Sequence, residues 1–378
     1  MESQKLPLAL TYDDVLLIPG YSDFSRDDIE LTTQLSKNIS IKTPLISAPM
    51  DTVTESKLAI TLAELGGIGI IHRNLSVADE ADEVKKVKDA GYLVGAAIGV
   101  SDGYKERLEA LIKAGVDVIV LDAAHGWTNK FIEALGFIKN THKGVDVIVG
   151  NIATFEAAED LCKHGADALR VGMGPGAICT TRVISGMGVP QVTAIIETSR
   201  AAQKYGIPVI ADGGIKHSGD MVKALAAGAS TVMMGSFFAS TVESPGKIVT
   251  FERDDVPARF KSIINGHDTY QFKEYRGMGS VGAMKHGVEI KSEDEFHGKS
   301  YKDKTLIAEG VEGLVPVKGT VKDLVDQAVG GIRSGMYYIG AKNIEQLHKK
   351  GKFTQITQAS LMESHPHDVF ITNPGSNY

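Results

Sequence analysis

A glycine-rich loop that ends in a cysteine carries the residues best suited to covalent chemistry in this sequence. The stretch 172–182 reads GMGPGAICTTR and follows the run 167–171, which is typical of a short buried strand. Glycines let the main chain approach a ligand closely, and a nearby cation and main-chain dipoles favour the thiolate form of a cysteine. Cys179, with Thr181 and Arg182 beside it, is therefore a candidate nucleophile. The alternative is a glycine-rich turn around a buried, unreactive thiol.

The composition is that of a soluble globular protein. The chain has 378 residues, 43% of them hydrophobic and 23% charged, which allows one large domain or two ordinary ones. Two cysteines, Cys162 and Cys179, argue against a disulfide framework and for a reducing compartment. The start of the chain lacks a signal-peptide pattern, and no apolar run approaches the roughly 18 residues that span a bilayer. We expect a cytoplasmic protein with no membrane partner, and the net charge of -7 argues against nucleic-acid binding.

The elements that must position the cysteine loop alternate between short apolar runs and longer amphipathic stretches, the pattern of repeated βα units. The predicted strands, eight in all, cover 45–48, 68–71, 94–98, 118–121, 145–149, 168–171, 209–211 and 232–234. The predicted helices include 55–65, 79–89, 105–114, 155–164, 192–205, 218–227 and 321–332. This order predicts an α/β fold of the (β/α)₈ TIM barrel type, in one catalytic domain over 1–378. The alternative is a doubly wound open sheet, although no Gly-x-Gly-x-x-Gly sequence follows the first predicted strand.

Polar and glycine residues cluster at the predicted carboxyl ends of the strands, where the loops of a barrel build its site. They are Asp51, Thr52, His72, Arg73, Asn74, Asp122, His125, Gly150, Asn151, Asp212, Gly213, Gly214, Gly235 and Ser236, in addition to the cysteine loop. Ordinary turn chemistry explains any one of them. These residues recur at the same point of successive βα units, directly after the strand, and this recurrence favours a shared site.

Two of these loops are candidate phosphate sites. The segments 212–214 and 235–236 follow adjacent late strands, where barrels frequently bind phosphate through main-chain amides. The carboxylate of Asp212 is suited to accept hydrogen bonds from two ribose hydroxyls. Asp122 and Asn151 come from neighbouring strands and are candidates to hold a second sugar. A phosphosugar or nucleotide in front of Cys179 follows as a hypothesis, and the layout suits covalent catalysis on a purine ring with a dinucleotide alongside.

A long polar excursion after the eighth predicted strand is a candidate lid. It spans about 243–320, and its centre, 288–304, is charged with little apolar periodicity, so we expect mobility there. An irregular tail follows at about 361–378. Its histidines, His365 and His367, are a weak metal signal without a third clustered ligand, and a surface loop or an interface is the alternative.

Several long motifs, in order along nearly the whole chain, resemble the IMP dehydrogenase/GMP reductase family. Besides the cysteine loop they are YDDVLLIP at 12–19, APMDTVTE at 48–55, GGIGIIH at 66–72, ADGGI at 211–215 and YRGMGS at 275–280. The resemblance implies a (β/α)₈ barrel, usually assembled as a homotetramer. It also implies a purine nucleoside monophosphate as substrate and a nicotinamide dinucleotide beside it.

The resemblance also implies roles for individual residues. Cys179 would attack C2 of the purine to form a thioimidate, and Thr181 and Glu309 match a pair used near the catalytic water or the departing amine. The implied substrate contacts are Met50, Asp212, Gly213, Gly214, Gly235, Ser236, Tyr275, Gly277, Met278 and Gly279. The implied dinucleotide contacts are Asp122, His125, Asn151 and Gly172. An implied potassium site combines the carbonyl oxygens of Gly172, Gly174 and Cys179 with Glu363, Ser364 and His365 of the partner subunit.

Two reactions are known in the family, oxidation of IMP to XMP by NAD and reductive deamination of GMP to IMP by NADPH. The motif at 275–280, the long lid, and the segments 309–313 and 363–368 resemble the dehydrogenases. The reductase reaction stays an alternative, as does a catalytically altered relative that binds purine nucleotides.

The sequence departs from the dehydrogenase pattern in three places. Most dehydrogenases insert a paired CBS module after the second strand. This module is absent here, because residues 85–92 continue without an insertion at the position where it would occur. Ala177 stands where a phosphate-loop serine is expected. The lid lacks the Arg-Tyr pair that activates water, and its place is taken by 293–302, EDEFHGKSYK. Candidate substitutes for the missing base are His297, Lys299 and Tyr301, and the alternative is that they are solvated lid residues.

Overall fold

Eight parallel strands close into a barrel in the order in which they occur along the chain. The computed structural model describes residues 6–264, 267–289, 307–369 and 371. The last barrel strand pairs with the first, with Val232 opposite Leu45, so the predicted barrel is confirmed and the open-sheet alternative is wrong. The barrel strands are β4 Leu45–Ser47, β5 Ile68–Ile71, β6 Gly95–Ile98, β7 Val118–Asp122, β8 Asp146–Ile152, β9 Ala168–Val171, β10 Val209–Asp212 and β11 Thr231–Met234.

Helices follow the barrel strands and cover the outside of the barrel. They are α1 Ser56–Glu64, α2 Val77–Asp89, α3 Tyr104–Ala114, α4 Asn129–Thr141, α5 Phe155–Lys163, α7 Gln191–Ala202 and α8 Ser218–Ala226, while the short helices α6 Thr181–Ser185 and α9 Ser236–Ala239 lie in the loops after β9 and β11. Residues 90–94 join α2 directly to β6, so no module is inserted at this point.

The eighth outer helix, α11, spans Val321–Ile339 and is longer than the sequence predicted. It begins at Thr320, whose hydroxyl accepts a hydrogen bond from the Asp323 amide in a capping box. The predicted end at residue 332 was wrong because two glycines at 330–331 look like a helix stop. Gly331 instead allows close packing on α8, since an added Cβ would lie 2.3 Å from Cβ of Ser218.

A short hairpin closes the amino-terminal end of the barrel. Its strands, β2 Thr33–Gln34 and β3 Ser40–Ile41, bring Leu35 and Ile41 against the apolar side chains of the barrel interior. The Asp146 carboxylate at the start of β8 accepts a hydrogen bond of 2.6 Å from the Ser36 hydroxyl in the same hairpin. A site for ligands must therefore lie at the carboxyl ends of the strands.

The described part of the predicted lid contains a three-stranded antiparallel sheet. The strands are β12 Ile248–Glu252, β13 Thr269–Arg276 and β14 Glu312–Pro316, with β13 in the middle, and α10, Val281–Glu289, follows β13. Val256 and Phe260, between β12 and β13, contribute to a small apolar core against this sheet. We call the described residues 243–289 and 307–320 the flap. The predicted mobile centre, 288–304, lies almost wholly outside the described residues.

Short elements connect the two ends of the chain. Strand β1, Val15–Leu17, pairs antiparallel with β15, Phe353–Gln355. Helix α12, Ile344–Lys350, precedes β15, and α13, Gln358–Glu363, follows it.

Candidate active site

The cysteine loop leaves the barrel at the end of β9 and packs tightly on the end of β10. Gly172 has φ of +152°, and a Cβ added there would lie 2.1 Å from the carbonyl oxygen of Asp212. Gly174 has φ of +76°, and its Cβ would lie 2.5 Å from Cγ of Arg182. Both positions require glycine because a side chain has neither the backbone freedom nor the space. The cysteine loop is therefore held close to Asp212, whose carboxylate is the predicted ribose acceptor.

We expect Gly172→Ala to lower the free energy of unfolding by about 2–4 kcal/mol, because strain and overlap act together at this position. Urea denaturation measures the loss. Gly186→Ala is the matched control, since Gly186 also has positive φ but nothing lies within 4 Å of its added Cβ. The control should lose only about 1 kcal/mol, which isolates the backbone effect. Equal losses in the two variants would contradict the overlap with the Asp212 carbonyl.

Three side chains form a hydrogen-bonded chain that starts at the candidate nucleophile. The Cys179 thiol donates to the Thr181 hydroxyl over 3.3 Å, and that hydroxyl donates to Oε2 of Glu309 over 2.8 Å. Thr181 is buried, whereas Cys179 is partly exposed. A carboxylate connected to a hydroxyl beside a thiol can take up a proton from a molecule that sits at the sulfur.

Glu309 reaches this position through a small ladder of main-chain hydrogen bonds. On one side, the Thr180 amide donates to the Glu309 carbonyl over 2.9 Å, and the Val311 amide donates to the Ile178 carbonyl over 2.9 Å. On the other side the ladder continues into the segment 277–279 of the flap. There the Gly277 amide donates to the Val311 carbonyl over 3.0 Å, and the Glu309 amide donates to the Gly279 carbonyl over 3.1 Å. The segment 309–311 therefore joins the cysteine loop to the rest of the flap.

A buried charged network joins residues at the carboxyl ends of five barrel strands. Nε of Arg170 donates to Asp212 over 2.9 Å, and its NH1 donates to Asp122 over 2.5 Å. Nδ2 of Asn151 donates to Asp212 over 2.8 Å, and Nε of Arg73 donates to Asp122 over 3.3 Å. Burial by itself lowers the pKa of the Arg170 guanidinium, but the carboxylates of Asp212 and Asp122 outweigh it and raise that pKa. Arg170 therefore stays charged and links the two candidate sugar-binding carboxylates.

Tyr275, at the end of β13, lies over the loop that follows β11. A Cβ added at Gly235 would lie 2.6 Å from the Tyr275 hydroxyl and 3.0 Å from Sδ of Met50. Burial, and then the negative charge of Asp212, raise the pKa of the Tyr275 hydroxyl, which therefore stays protonated at neutral pH. The flap thus places a hydrogen-bond donor beside the candidate phosphate loop.

The sequence matches the family model for the IMP dehydrogenase / GMP reductase domain over residues 9–367. The chain belongs to the IMP dehydrogenase/GMP reductase family. A relative named inosine-5'-monophosphate dehydrogenase from Cryptosporidium parvum is 44% identical over 421 residues, with 100% of both chains covered. One of the same name from Borreliella burgdorferi is 42% identical over 412 residues, covering 96% of this chain and 97% of the relative.

A third relative of that name, from Aquifex aeolicus, is 37% identical over 503 residues, covering 99% of this chain and 98% of its own. This alignment is longer than the 378 residues of the chain, so the Aquifex protein carries segments that this member of the family lacks. The direct connection between α2 and β6 agrees with a missing inserted module.

The structure brings together most of the residues that the family resemblance implied. Cys179, Thr181 and Glu309 are in direct contact, and Asp212 contacts Asn151. Met50, Gly235 and Tyr275 meet at the end of β11, while Gly213 and Gly214, with φ of +90° and +77°, pack against Pro175 of the cysteine loop. Ser236 begins α9, and the segment 277–279 adjoins Glu309. His125 is exposed on the loop after β7, and Ala177 is exposed on the cysteine loop.

Some predicted site residues are not brought to the cysteine within one chain. The candidate lid bases His297, Lys299 and Tyr301 lie outside the described residues. Glu363 and Ser364 lie at the end of α13, and the ring of His365 is 6.3 Å from the ring of His217 at the start of α8. Across the described parts of the chain, no three His, Cys, Asp or Glu side chains are arranged to hold a metal ion. The predicted potassium site uses main-chain carbonyl oxygens, on which the absence of such a side-chain cluster has no bearing. The potassium site therefore stays a prediction.

Sequence reasoning missed Arg170 as a member of the site, although a signal was present. Arg170 is the one charged residue in the strand Ala168–Val171, all of which is buried. A charge in a buried strand requires a charged or strongly polar partner.

None of the helices in the described residues is long and apolar enough to cross a membrane.

Proposed function

We propose that the protein oxidises IMP to XMP with NAD as the hydride acceptor, through a covalent adduct on Cys179. The observation that carries this proposal is the contact chain from the Cys179 thiol through Thr181 to Glu309, on a loop that packs against the Asp212 main chain. A nucleophile, a proton acceptor and a candidate ribose acceptor thus all come from loops at the mouth of the barrel. Three similar relatives carry the name of the dehydrogenase.

The reaction divides into two half-reactions. In the first, the Cys179 thiol gives up its proton, its Sγ forms a bond to C2 of the hypoxanthine, and the hydrogen at C2 leaves with its electron pair. NAD supplies the carbon that accepts this hydride and is released as NADH. In the second, water adds to C2 of the thioimidate and loses a proton, the carbon–sulfur bond breaks, and XMP leaves with the thiol restored. Water, IMP and NAD are consumed in equal amounts, and one proton is released.

The substrate side of the proposal follows from the late strands and the flap. Asp212 would accept hydrogen bonds from the ribose hydroxyls, and the amides of 213–214 and 235–236 would bind the phosphate. The protonated Tyr275 hydroxyl is available as a further donor to the phosphate. Met50 and the segment 277–279 would contact the base. The positive φ of Gly213 and Gly214 supports close approach of the main chain to an anion.

The dinucleotide would bind on the opposite side of the sulfur. Asp122 and Asn151 lie at the carboxyl ends of β7 and β8, and His125 lies in the loop after β7, so carboxylate, amide and imidazole groups occur at the same edge of the barrel. The carboxylate of Asp122 is held by Arg170 and Arg73, so a ribose would meet an ordered acceptor. The Gly172 carbonyl, which accepts from Nδ2 of Asn151 over 2.9 Å, borders both sites.

We assign activation of the water to Glu309 through Thr181. The missing Arg-Tyr pair leaves the lid without its usual base, whereas the described hydroxyl–carboxylate contact is already formed. A carboxylate hydrogen-bonded to a hydroxyl next to the sulfur has the reach that general-base catalysis needs. His297, Lys299 and Tyr301 are the competing candidates.

Potassium and a tetramer belong to the proposal as well. The carbonyl oxygens of Gly172, Gly174 and Cys179 are hard oxygen ligands, the type that suits an alkali cation. Glu363, Ser364 and His365 of the partner subunit would complete the shell, which requires neighbouring subunits to meet at the cysteine loop. The cation would order the loop. The cytoplasmic location expected from the sequence stays a prediction.

The second candidate function is reductive deamination of GMP with NADPH. It is favoured by the absence of the Arg-Tyr pair, because a reductase releases ammonia and does not need a strong water-activating base. A third reading is a catalytically altered relative that binds purine monophosphates.

A paired assay on one preparation separates these candidates. With IMP, NAD and potassium chloride we expect NADH at 340 nm and XMP by chromatography in equal amounts. Replacing potassium with lithium should abolish most of this activity. With GMP and NADPH we expect no consumption of NADPH and no ammonia. Tight IMP binding without NADH formation would refute the dehydrogenase, and ammonia release from GMP would support the reductase.

A further inference from the structure

A largely buried ion pair, separate from the proposed catalytic residues, joins the flap to the first barrel loop. Arg276 follows Tyr275 at the end of β13, and Asp51 follows β4. NH2 of Arg276 donates to Oδ2 of Asp51 over 2.6 Å, and Nε lies 3.1 Å from Oδ1 and 3.0 Å from Oδ2. The side chain of Asp51 is 3% exposed and that of Arg276 is 25% exposed. A guanidinium that binds a carboxylate through two nitrogens fixes orientation as well as distance.

Further contacts tie the same two residues to their surroundings. Nδ2 of Asn74, in the loop after β5, donates to Oδ2 of Asp51 over 2.8 Å and to the carbonyl of Ala283 in α10 over 3.2 Å. The Arg276 amide donates to the Thr52 hydroxyl over 3.2 Å. Two barrel loops thus contact two parts of the flap, Arg276 through the Asp51 carboxylate and α10 through the Asn74 amide. We call Asp51, Asn74 and Arg276 the flap clamp.

The flap clamp stands immediately before the ladder that carries Glu309. Arg276 is bonded in sequence to Gly277, which donates to the Val311 carbonyl. The ladder includes Gly277, Gly279 and Gly310, which have no side chains with which to anchor it. The ladder bonds the Glu309 main chain to the cysteine loop on one side, and on the other side Arg276 ties the flap strand that enters the ladder to the barrel loop at Asp51.

We propose that Arg276 is a positioning residue for the hydrolytic half-reaction, acting through its pair with Asp51 to set the register that delivers Glu309 to Thr181. This inference rests on the proposed function. Cys179 is held by its own loop on β9 and β10, so attack on the purine and hydride transfer do not depend on the flap clamp to the same degree. Displacement of a base by about 1 Å costs about 100-fold in rate.

The test separates the two half-reactions in Arg276→Gln, Arg276→Lys and Asp51→Asn. We expect the steady-state kcat to fall about 10- to 100-fold, while the rate of NADH formation in the first turnover stays within about threefold of the unaltered protein. The covalent purine adduct should accumulate on Cys179, detected by intact mass after acid quench. Arg276→Lys should keep only part of the steady-state kcat, since the lysine ammonium cannot bind the two Asp51 oxygens in a fixed plane.

Asp51→Asn keeps the test valid if Arg276→Gln is too unstable, because it leaves no unpaired buried carboxylate. The double variant Asp51→Asn/Arg276→Gln should lose no more activity than the worse single variant. Arg200→Gln is the control, because Arg200 forms an exposed pair of 2.6 Å with Glu197 on α7 and should keep full activity. Parallel losses in the first turnover and in the steady state, or multiplicative losses in the double variant, would overturn the inference. Failure of the unaltered protein to form NADH from IMP would instead overturn the proposed function.

Discussion

Replacing Cys179 with alanine should lower kcat for NADH formation by at least about 10⁴-fold while IMP still binds. The thiol forms the bond to C2 in the first half-reaction, so no later step can occur without it. The ribose and phosphate contacts at Asp212 and the late loops are separate from the sulfur. Stopped-flow absorbance at 340 nm gives the rate, and calorimetry gives the IMP dissociation constant, which we expect to change by less than about tenfold.

Cys162 offers a matched control within the same chain. It lies in α5 and is buried, and burial, followed by the charge of Glu159, raises the pKa of its thiol to about 12. The thiolate reacts and the thiol does not, so iodoacetamide should modify Cys179 far faster, and IMP should protect it. Cys162→Ala should keep full activity and full inactivation by iodoacetamide. Turnover that survives in Cys179→Ala would falsify the covalent mechanism and favour a relative that binds nucleotide without this chemistry.

The barrel could be predicted from the sequence because its strands are continuous apolar runs. Ile68–Ile71 is buried at every position, which is typical of a parallel strand covered on both faces. Cys179 could be selected because three glycines and a thiol occur within one loop. The fold and the nucleophile therefore follow from local patterns that one segment carries by itself.

The remaining parts of the site depend on contacts between distant segments. Arg170 contacts Asp122 and Asp212, which are 48 and 42 residues away, and nothing in the strand itself names these partners. The sequence of the flap looks polar and irregular. In the structure, however, Tyr270 and Phe272 on β13 are buried in a small apolar core that belongs to the flap. The alternation of buried and exposed residues in β13 was a usable strand signal, and the high charge of the neighbouring segment obscured it.

Removing the charge of Glu309 while keeping its shape should slow hydrolysis and spare hydride transfer. In Glu309→Gln the amide oxygen can still accept the hydrogen bond from Thr181, but the side chain cannot take up a proton. We expect the steady-state kcat to fall about 10²- to 10³-fold, with the first turnover nearly unchanged and the adduct trapped on Cys179. Rapid quench with mass detection of the adduct measures the effect.

Two further variants assign this effect to the proton path. Thr181→Val removes the hydroxyl between the sulfur and the carboxylate, so Thr181→Val and Glu309→Gln together should lose little more than either alone. Glu252→Gln is the control in the flap. The Glu252 side chain is exposed at the end of β12, and its replacement should change kcat by less than about twofold. Normal turnover in Glu309→Gln would place the base in the lid at His297, Lys299 or Tyr301. In that case Arg276 variants should also hydrolyse the adduct normally, because the ladder they disturb would no longer deliver the base.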